Sequence, residues 1–316
     1  MKIIQKCPIC NSVQLRELYR KTYVYPGDNI ESNLINGNFV RLYILFNYII
    51  QNRTPVQFTI MICKNCGFIF LNPRLEAQDI EVKYRMINQF GSVRERLRKH
   101  PPFNLDKRAA AIYKRICTQI GSEPIGRKVL DFGGASGYNL RPFVHHNKCY
   151  LVDYEKWEIP PDIEHLGCTL NNVPQEMKFD IILCCQVFEH LIDPRGILRE
   201  LVARLTTSGL LYIELPLGCF REFKHIGNPT THINFFSSAS FSSLFSECSV
   251  NIKSIDVGLR WMLHNRALCL TAIAQKNRHS FPPTYRGSYK DTLRQMSNPL
   301  YYLVLIYNRI LRALRI

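Results

Sequence analysis

The stretch Lys128-Val-Leu-Asp-Phe-Gly-Gly-Ala-Ser-Gly137 decides the fold of this 316-residue chain. Lys128–Asp131 reads as a short buried strand, and a helix is expected to begin near Tyr138. Between them the glycines let the backbone turn sharply and approach a ligand closely. An acid at the strand end, Asp131, does nothing for a pyrophosphate. It suits a cationic amino-acid group or ribose hydroxyls. A glycine-rich turn by itself also fits a bare tight loop, so the second acid matters. Asp153 closes the next apolar run, Cys149-Tyr-Leu-Val-Asp153, at the spacing of about 20 residues that lets a carboxylate take both ribose hydroxyls. The acid in Asp131-x-Gly133-x-x-x-Gly137 points away from a dinucleotide and toward S-adenosylmethionine, and Asp153 supports a bound nucleoside.

Outward from this stretch, short apolar runs alternate with helical patterns, the rhythm of a parallel α/β sheet. Before it, Ala109, Ile112, Ile116 and Ile120 share a helical face that Gly121 ends. After it, Phe179–Cys185 reads as a central buried strand. Asp193 and Pro194 read as a helix cap and first helical residue, with the helix continuing through Leu198, Leu201, Val202 and Leu205. Gly209–Pro216 supplies another strand. Three regions result: 1–95, 100–275 and a basic tail, 276–316.

The chain holds 12 cysteines. Cys7-Pro-Ile-Cys10 and Cys63-Lys-Asn-Cys66-Gly67 form two C-x2-C knuckles, and four thiolates match a closed tetrahedral zinc site. With no open position the zinc is expected to be structural, and Gly67 is expected to help the second turn close. The excursion between the knuckles contains an apolar stretch, Arg41–Ile50, expected to pack on the main domain or a partner. The other eight cysteines, mostly among apolar neighbours, are read as buried and reduced, which with no apolar signal stretch at the start places the protein in the cytoplasm. The formal net charge of +16 favours polyanions such as nucleic acid, anionic lipid or phosphorylated substrates, or is simply a solvated surface.

Taken together, VLDFGGASG, YLVDYE, FDIILCCQVFEHLIDP and GLLYIELP, in that order, resemble class I S-adenosylmethionine-dependent methyltransferases over residues 104 to about 275. The resemblance implies an α/β, Rossmann-like sheet in which Asp131, Gly133 and Gly137 line the methionine end of the cofactor. Asp153 would hold the ribose, Asn171 would meet the adenine, and Gln186 would lie beside the cofactor. Ala135 stands where many members have the middle glycine, which is harmless if its φ is negative. CPIC and CKNCGFIFLNPR ahead of such a domain resemble the zinc-binding methyltransferases of deoxysugar and surface-polysaccharide biosynthesis.

Two histidines are candidates for the chemistry. His190 follows Glu189 after the fourth strand, and His232 lies in Thr231-His-Ile-Asn-Phe-Phe236 after the fifth. Related sugar C-methyltransferases carry Glu-His at the second position. Thr231 replaces that Glu here, which favours oxygen over carbon methylation. Each histidine also has a packing alternative, His190 holding the loop before the next helix and His232 lying beneath Phe235 and Phe236. The expected function is methylation of a nucleotide- or lipid-linked saccharide. An RNA methyltransferase and a non-catalytic cofactor- or partner-binding module are the alternatives. From Pro299 onward the tail reads as a basic amphipathic helix, expected to lie on the inner face of a membrane, to contact a second copy, or to pack on its own domain.

Overall fold

In the computed structural model, residues 1–91, 104–154, 158–219, 222–248, 250–262, 266–276, 287–299, 303 and 306 are described. The N-terminal part contains β1 (Leu15–Tyr23), helix α1 (Gly37–Ile44), β2 (Val56–Cys63), β3 (Ile69–Asn72) and α2 (Ala77–Phe90). There follow α3 (Leu105–Ile120), β4 (Lys128–Phe132), β5 (Lys148–Val152), β6 (Ile163–Gly167), β7 (Phe179–Cys185), α4 (Pro194–Ala203) and β8 (Leu205–Pro216). The last elements are β9 (Asn234–Phe235), α5 (Ser238–Glu247), β10 (Asn251–Trp261), β11 (Arg266–Gln275) and α6 (Tyr289–Ser297).

The main sheet has seven strands in the order β10-β11-β8-β7-β4-β5-β6. The strands from β8 through β6 run parallel, while β11 is antiparallel to β8 and β10 to β11. The chain leaves β4 outward to β5 and β6, then returns on the other side to β7. Such a reversal opens a crevice at the carboxyl ends of the strands, where α/β sheets take their ligands. Val129, Leu130, Ile181, Ile182, Leu183, Leu211 and Ile213 are buried along the central strands. Strands covered on both faces read as continuous apolar runs, and these do.

The boundaries read from the sequence hold closely for β4, β5 and β7. Gly121 caps α3 with φ +82°, and Asp193 accepts from the Gly196 N–H to cap α4. Three readings need correction. The expected helix after the glycine-rich turn is only a 3-10 turn, Tyr138–Leu140. Leu205 opens β8 rather than ending α4. Cys168 is exposed, unlike most of the isolated cysteines.

The N-terminal sheet is antiparallel, in the order β1-β2-β3-β9. Its last strand comes from beyond β8, so the two sheets are joined through residues 234–235. The apolar excursion folds as α1 and a π-helical turn, Leu45–Ile49. Val40 and Ile44 pack with Met86 and Ile87 of α2. Further on, α6 lies beside the second knuckle: a Cβ on Gly67 would come within 2.1 Å of Thr292 Oγ1. Most of the amphipathic helix expected from Pro299 onward falls outside the described residues. Leu303 and Ile306 are helical, and 61% and 52% exposed. Among the described residues no helix is long and apolar enough to cross a membrane.

Candidate active site and cysteine cluster

At the end of β4 the chain enters the glycine-rich turn. Gly133 and Gly137 take left-handed φ values of +71° and +75°, which glycine adopts without a steric penalty. Gly134 is required by a close approach: a Cβ there would meet Asp131 Oδ2 at 2.2 Å. Asp131 therefore folds beneath the turn, fully buried. Its Oδ2 accepts from Asn139 Nδ2 at 3.1 Å. Its Oδ1 has no hydrogen-bond partner among the described residues. Burial pushes its carboxyl up to about 7, against the pull of Asn139 and Arg108.

The unpaired oxygen tests the cofactor. A buried carboxylate without a partner is costly, and the ammonium of S-adenosylmethionine would satisfy it. Asn104 Oδ1 and Glu189 Oε2 are also buried acceptors with no hydrogen-bond partner among the described residues. Arg108 of α3 reaches Glu214 at 2.8 Å, and Tyr212 donates to the other Glu214 oxygen at 2.9 Å. Buried acidic acceptors around a glycine-rich turn suit a ligand that carries a sulfonium and an ammonium. Arg108 escaped the sequence reading because it belongs to a helix whose pattern speaks only of packing, and Asn104 stands just before that helix.

Asp153, the residue read as the ribose ligand, directly follows β5. Its Oδ2 accepts from the Ala135 N–H at 2.8 Å. Ala135 itself has φ +50°, so the condition under which it would be harmless is not met: the alanine sits in the left-handed region that the middle glycine would occupy freely. Tyr154, next in sequence, stacks on Tyr84 of α2, with centroids 5.1 Å and planes 8° apart. Gln186 follows β7 with φ +60°, its N–H bonded to the Glu214 carbonyl at 2.6 Å. Asn171 lies exposed in the 3-10 turn after β6, while its neighbour Asn172 caps that turn.

The histidines come together. The rings of His190 and His232 lie 5.0 Å apart. His190 Nδ1 is 2.7 Å from the Thr231 carbonyl, and its Nε2 is 3.6 Å from Glu189 Oε1. Burial, with His232 and Lys83 beside it, holds His190 well below the usual imidazole range. Burial, with Arg41 and Lys83, pushes His232 down to about 4, and Glu189 is pushed up to about 8 by burial. His232 also lines a cavity of about 230 Å³ with Asn38, Asn228, Thr231, Asn234 and Pro216, at the end of β8.

The loop carrying His232 is tied down on both sides. The Ile233 N–H donates to the Glu189 carbonyl, and the Leu71 N–H of β3 donates to the Ile233 carbonyl, both at 2.9 Å. Asn234 Nδ2 reaches the carbonyls of Phe188 and Leu191 at 2.8 and 2.7 Å. Asn228 Oδ1 accepts from the Thr230 N–H and from both threonine hydroxyls, and its amide donates to Asn38 Oδ1 at 2.8 Å.

The four knuckle cysteines also converge, with Cys7 and Cys66, and Cys10 and Cys63, each 3.6 Å apart at sulfur. Zinc–sulfur bonds of about 2.3 Å in a tetrahedron put sulfurs roughly 3.8 Å apart, so the cluster fits zinc. Each knuckle is followed by a left-handed residue, Asn11 at φ +57° and Gly67 at +73°, as a tight turn back requires.

Residues 94–249 match the family model of a methyltransferase domain. No curated protein sequence matches the chain. Similar solved structures include a Burkholderia thailandensis 1,6-didemethyltoxoflavin-N1-methyltransferase, 16% identical, covering 66% of this chain and 95% of that one, TM-score 0.49. Others are S-adenosylmethionine-dependent methyltransferases from Clostridium acetobutylicum (11%, 60% and 98%, TM-score 0.43) and Methanosarcina mazei (15%, 50% and 96%, TM-score 0.39). Strand order, the glycine-rich turn over a buried acid and the family match agree: the chain carries a methyltransferase domain and is an S-adenosylmethionine-dependent methyltransferase.

Proposed function

We propose that this enzyme methylates a hydroxyl of a nucleotide- or lipid-linked saccharide. The observation that carries the reading is the cavity beside His232. Its wall offers the Asn38 amide, the Thr231 hydroxyl oxygen and the His232 imidazole, while Asn228 and Asn234 spend their amides holding that wall in place. Such a wall matches an acceptor recognised through several hydroxyls. Asp131, Gly133, Gly137, Asp153, Asn171 and Gln186 would hold S-adenosylmethionine, which supplies an electrophilic methyl group when bound. Methyl transfer is an in-line displacement, so the chain's task is to align the acceptor oxygen and remove its proton. His232 faces the cavity as a neutral ring able to take part in that removal, and His190 fixes the loop behind it. The cysteines, holding zinc, would brace β3 and so the same loop.

The test is transfer of labelled methyl from S-adenosylmethionine to nucleotide-linked and lipid-linked sugars, with RNA in parallel. Labelled saccharide, lost in His232→Ala by about 10²–10⁴-fold with cofactor affinity retained, is the expected result. Labelled RNA and unlabelled saccharide would replace this reading with the nucleic-acid one.

A further inference from the structure

We infer that Glu189, His190 and His232 form a binding site for a divalent cation, distinct from the cysteine cluster. One ligand atom from each lies within 4.8 Å of the others. The hydrogen bonding fixes which atoms these are on two of the residues. The Thr231 carbonyl can only accept, so the neutral His190 ring carries its proton on Nδ1 and donates it there, at 2.7 Å. Its Nε2 is then a bare lone pair, and it faces Glu189 Oε1 at 3.6 Å. Two acceptors thus confront each other. The second Glu189 oxygen is buried with no partner among the described residues, in a residue only 2% exposed. Something positive belongs among these atoms, and it is a proton or a metal ion.

The surroundings favour the ion. A metal-bound histidine usually donates its other ring N–H to a carbonyl or carboxylate, which orients the ring. His190 does this through Thr231. Bonds of about 2.0–2.2 Å in a tetrahedron put ligand atoms roughly 3.4 Å apart, and the His190–Glu189 pair is already near that separation. Three protein ligands leave coordination positions open, the pattern of a working rather than a structural site. The partly exposed His232 ring lines the 230 Å³ cavity, which supplies an entry path. Two imidazoles and one carboxylate suit zinc, manganese, iron or cobalt better than magnesium or calcium, which take oxygen ligands. Arg41 and Lys83 bear on both rings, so the expected affinity is moderate.

For its role, the inference rests on the acceptor reading above and deepens it: the open positions would take oxygen from the acceptor, and His232 would act on the hydroxyl through the ion. Cation binding itself needs no acceptor. The experiment is titration of the full chain, carrying one equivalent of zinc for its four cysteines and no excess, with Mn²⁺, followed by loss of the free-ion paramagnetic resonance signal and by calorimetry. One equivalent of Mn²⁺ should bind. Glu189→Gln and His232→Ala should each weaken it at least about tenfold, with S-adenosylmethionine affinity retained. An undiminished free-ion signal, or equal binding by a folded variant, overturns the site and leaves a proton on Glu189. If Glu189→Gln does not fold, His232→Ala decides, since its ring reaches the cavity wall. Methylation of a non-saccharide acceptor, with Mn²⁺ bound as expected, would remove the acceptor reading and keep the ion.

Discussion

Arg74 donates from Nη1 to Asn234 Oδ1 at 2.9 Å, and this bond joins the N-terminal sheet to the loop that carries His232. Arg74 Nη2 also reaches the carbonyls of Leu191 and Ile192 at 2.9 and 3.1 Å. The residue is 4% exposed, and burial lowers its guanidinium to about 10, still charged at neutral pH. Removing it strands the buried Asn234 Oδ1 and the half-buried Ile192 carbonyl, while the Leu191 carbonyl keeps the Asn234 amide. Arg74→Ala should cost about 3 kcal/mol or more in denaturant unfolding. Turnover should fall while calorimetric affinity for S-adenosylmethionine stays within about twofold, because Arg74 bonds to the loop that carries His232 and not to the glycine-rich turn. Equal losses in both would assign Arg74 to the fold as a whole.

The cysteine cluster is upstream of that bond, since Cys63 ends β2 and Cys66 lies in the turn to β3. Metal analysis should find one tightly held zinc that Cys63→Ser with Cys66→Ser removes. The double variant should unfold at lower denaturant and bind a dye for apolar surface, because Phe68, Ile69 and Phe70 lie buried directly after the knuckle. A wild-type chain with no zinc after purification without chelator would remove the metal from this account.

Asp131 gives a pH dependence with a definite sign. Its carboxyl titrates at about 7 in the fold, against 3.8 ordinarily. A raised folded value means the folded protein holds the proton more tightly, so this group's stabilising effect is present below about pH 4 and is lost as pH rises through 7. Above 7 the ionised carboxylate is buried with one oxygen free of a partner, where the proposed cofactor would place its ammonium. Cofactor binding should therefore tighten from pH 6 to 8 and release a proton, visible as a dependence of the binding enthalpy on buffer. In Asp131→Asn both effects should vanish.

The sheet was legible because buried parallel strands are written as apolar runs closed by Asp131, Asp153 and Pro216. The residues proposed to hold the cofactor were picked out for the same reason, since they lie at or a few residues beyond the strand ends. The joining of the two sheets was not. A two-residue strand at Asn234 leaves no periodicity to read, and nothing local pairs Arg74 with a residue 160 positions on. The meeting of Glu189, His190 and His232 is likewise a product of the turn after β7 and the loop beyond β8 closing on each other.

Ala135 offers the sharpest test of the cofactor turn. Its φ of +50° places a Cβ where the left-handed region penalises it by roughly 1–2 kcal/mol. Glycine removes that penalty and adds about 0.4–1 kcal/mol of unfolded-chain entropy. The balance favours Ala135→Gly by about 1 kcal/mol, a rise of roughly 2–4 °C in Tm for a chain of this size. The N–H that Asp153 accepts is kept, so cofactor affinity should hold or improve slightly. Asp153→Ala behaves oppositely. It strips the Ala135 N–H of its acceptor and removes the carboxylate assigned to the ribose. Losing charged hydrogen bonds of this kind costs about 2–4 kcal/mol, so affinity should fall at least tenfold. Thermal melts and calorimetry on the two variants separate the claims. An unchanged Tm in Ala135→Gly removes the strain, and an unchanged Kd in Asp153→Ala removes the ribose assignment.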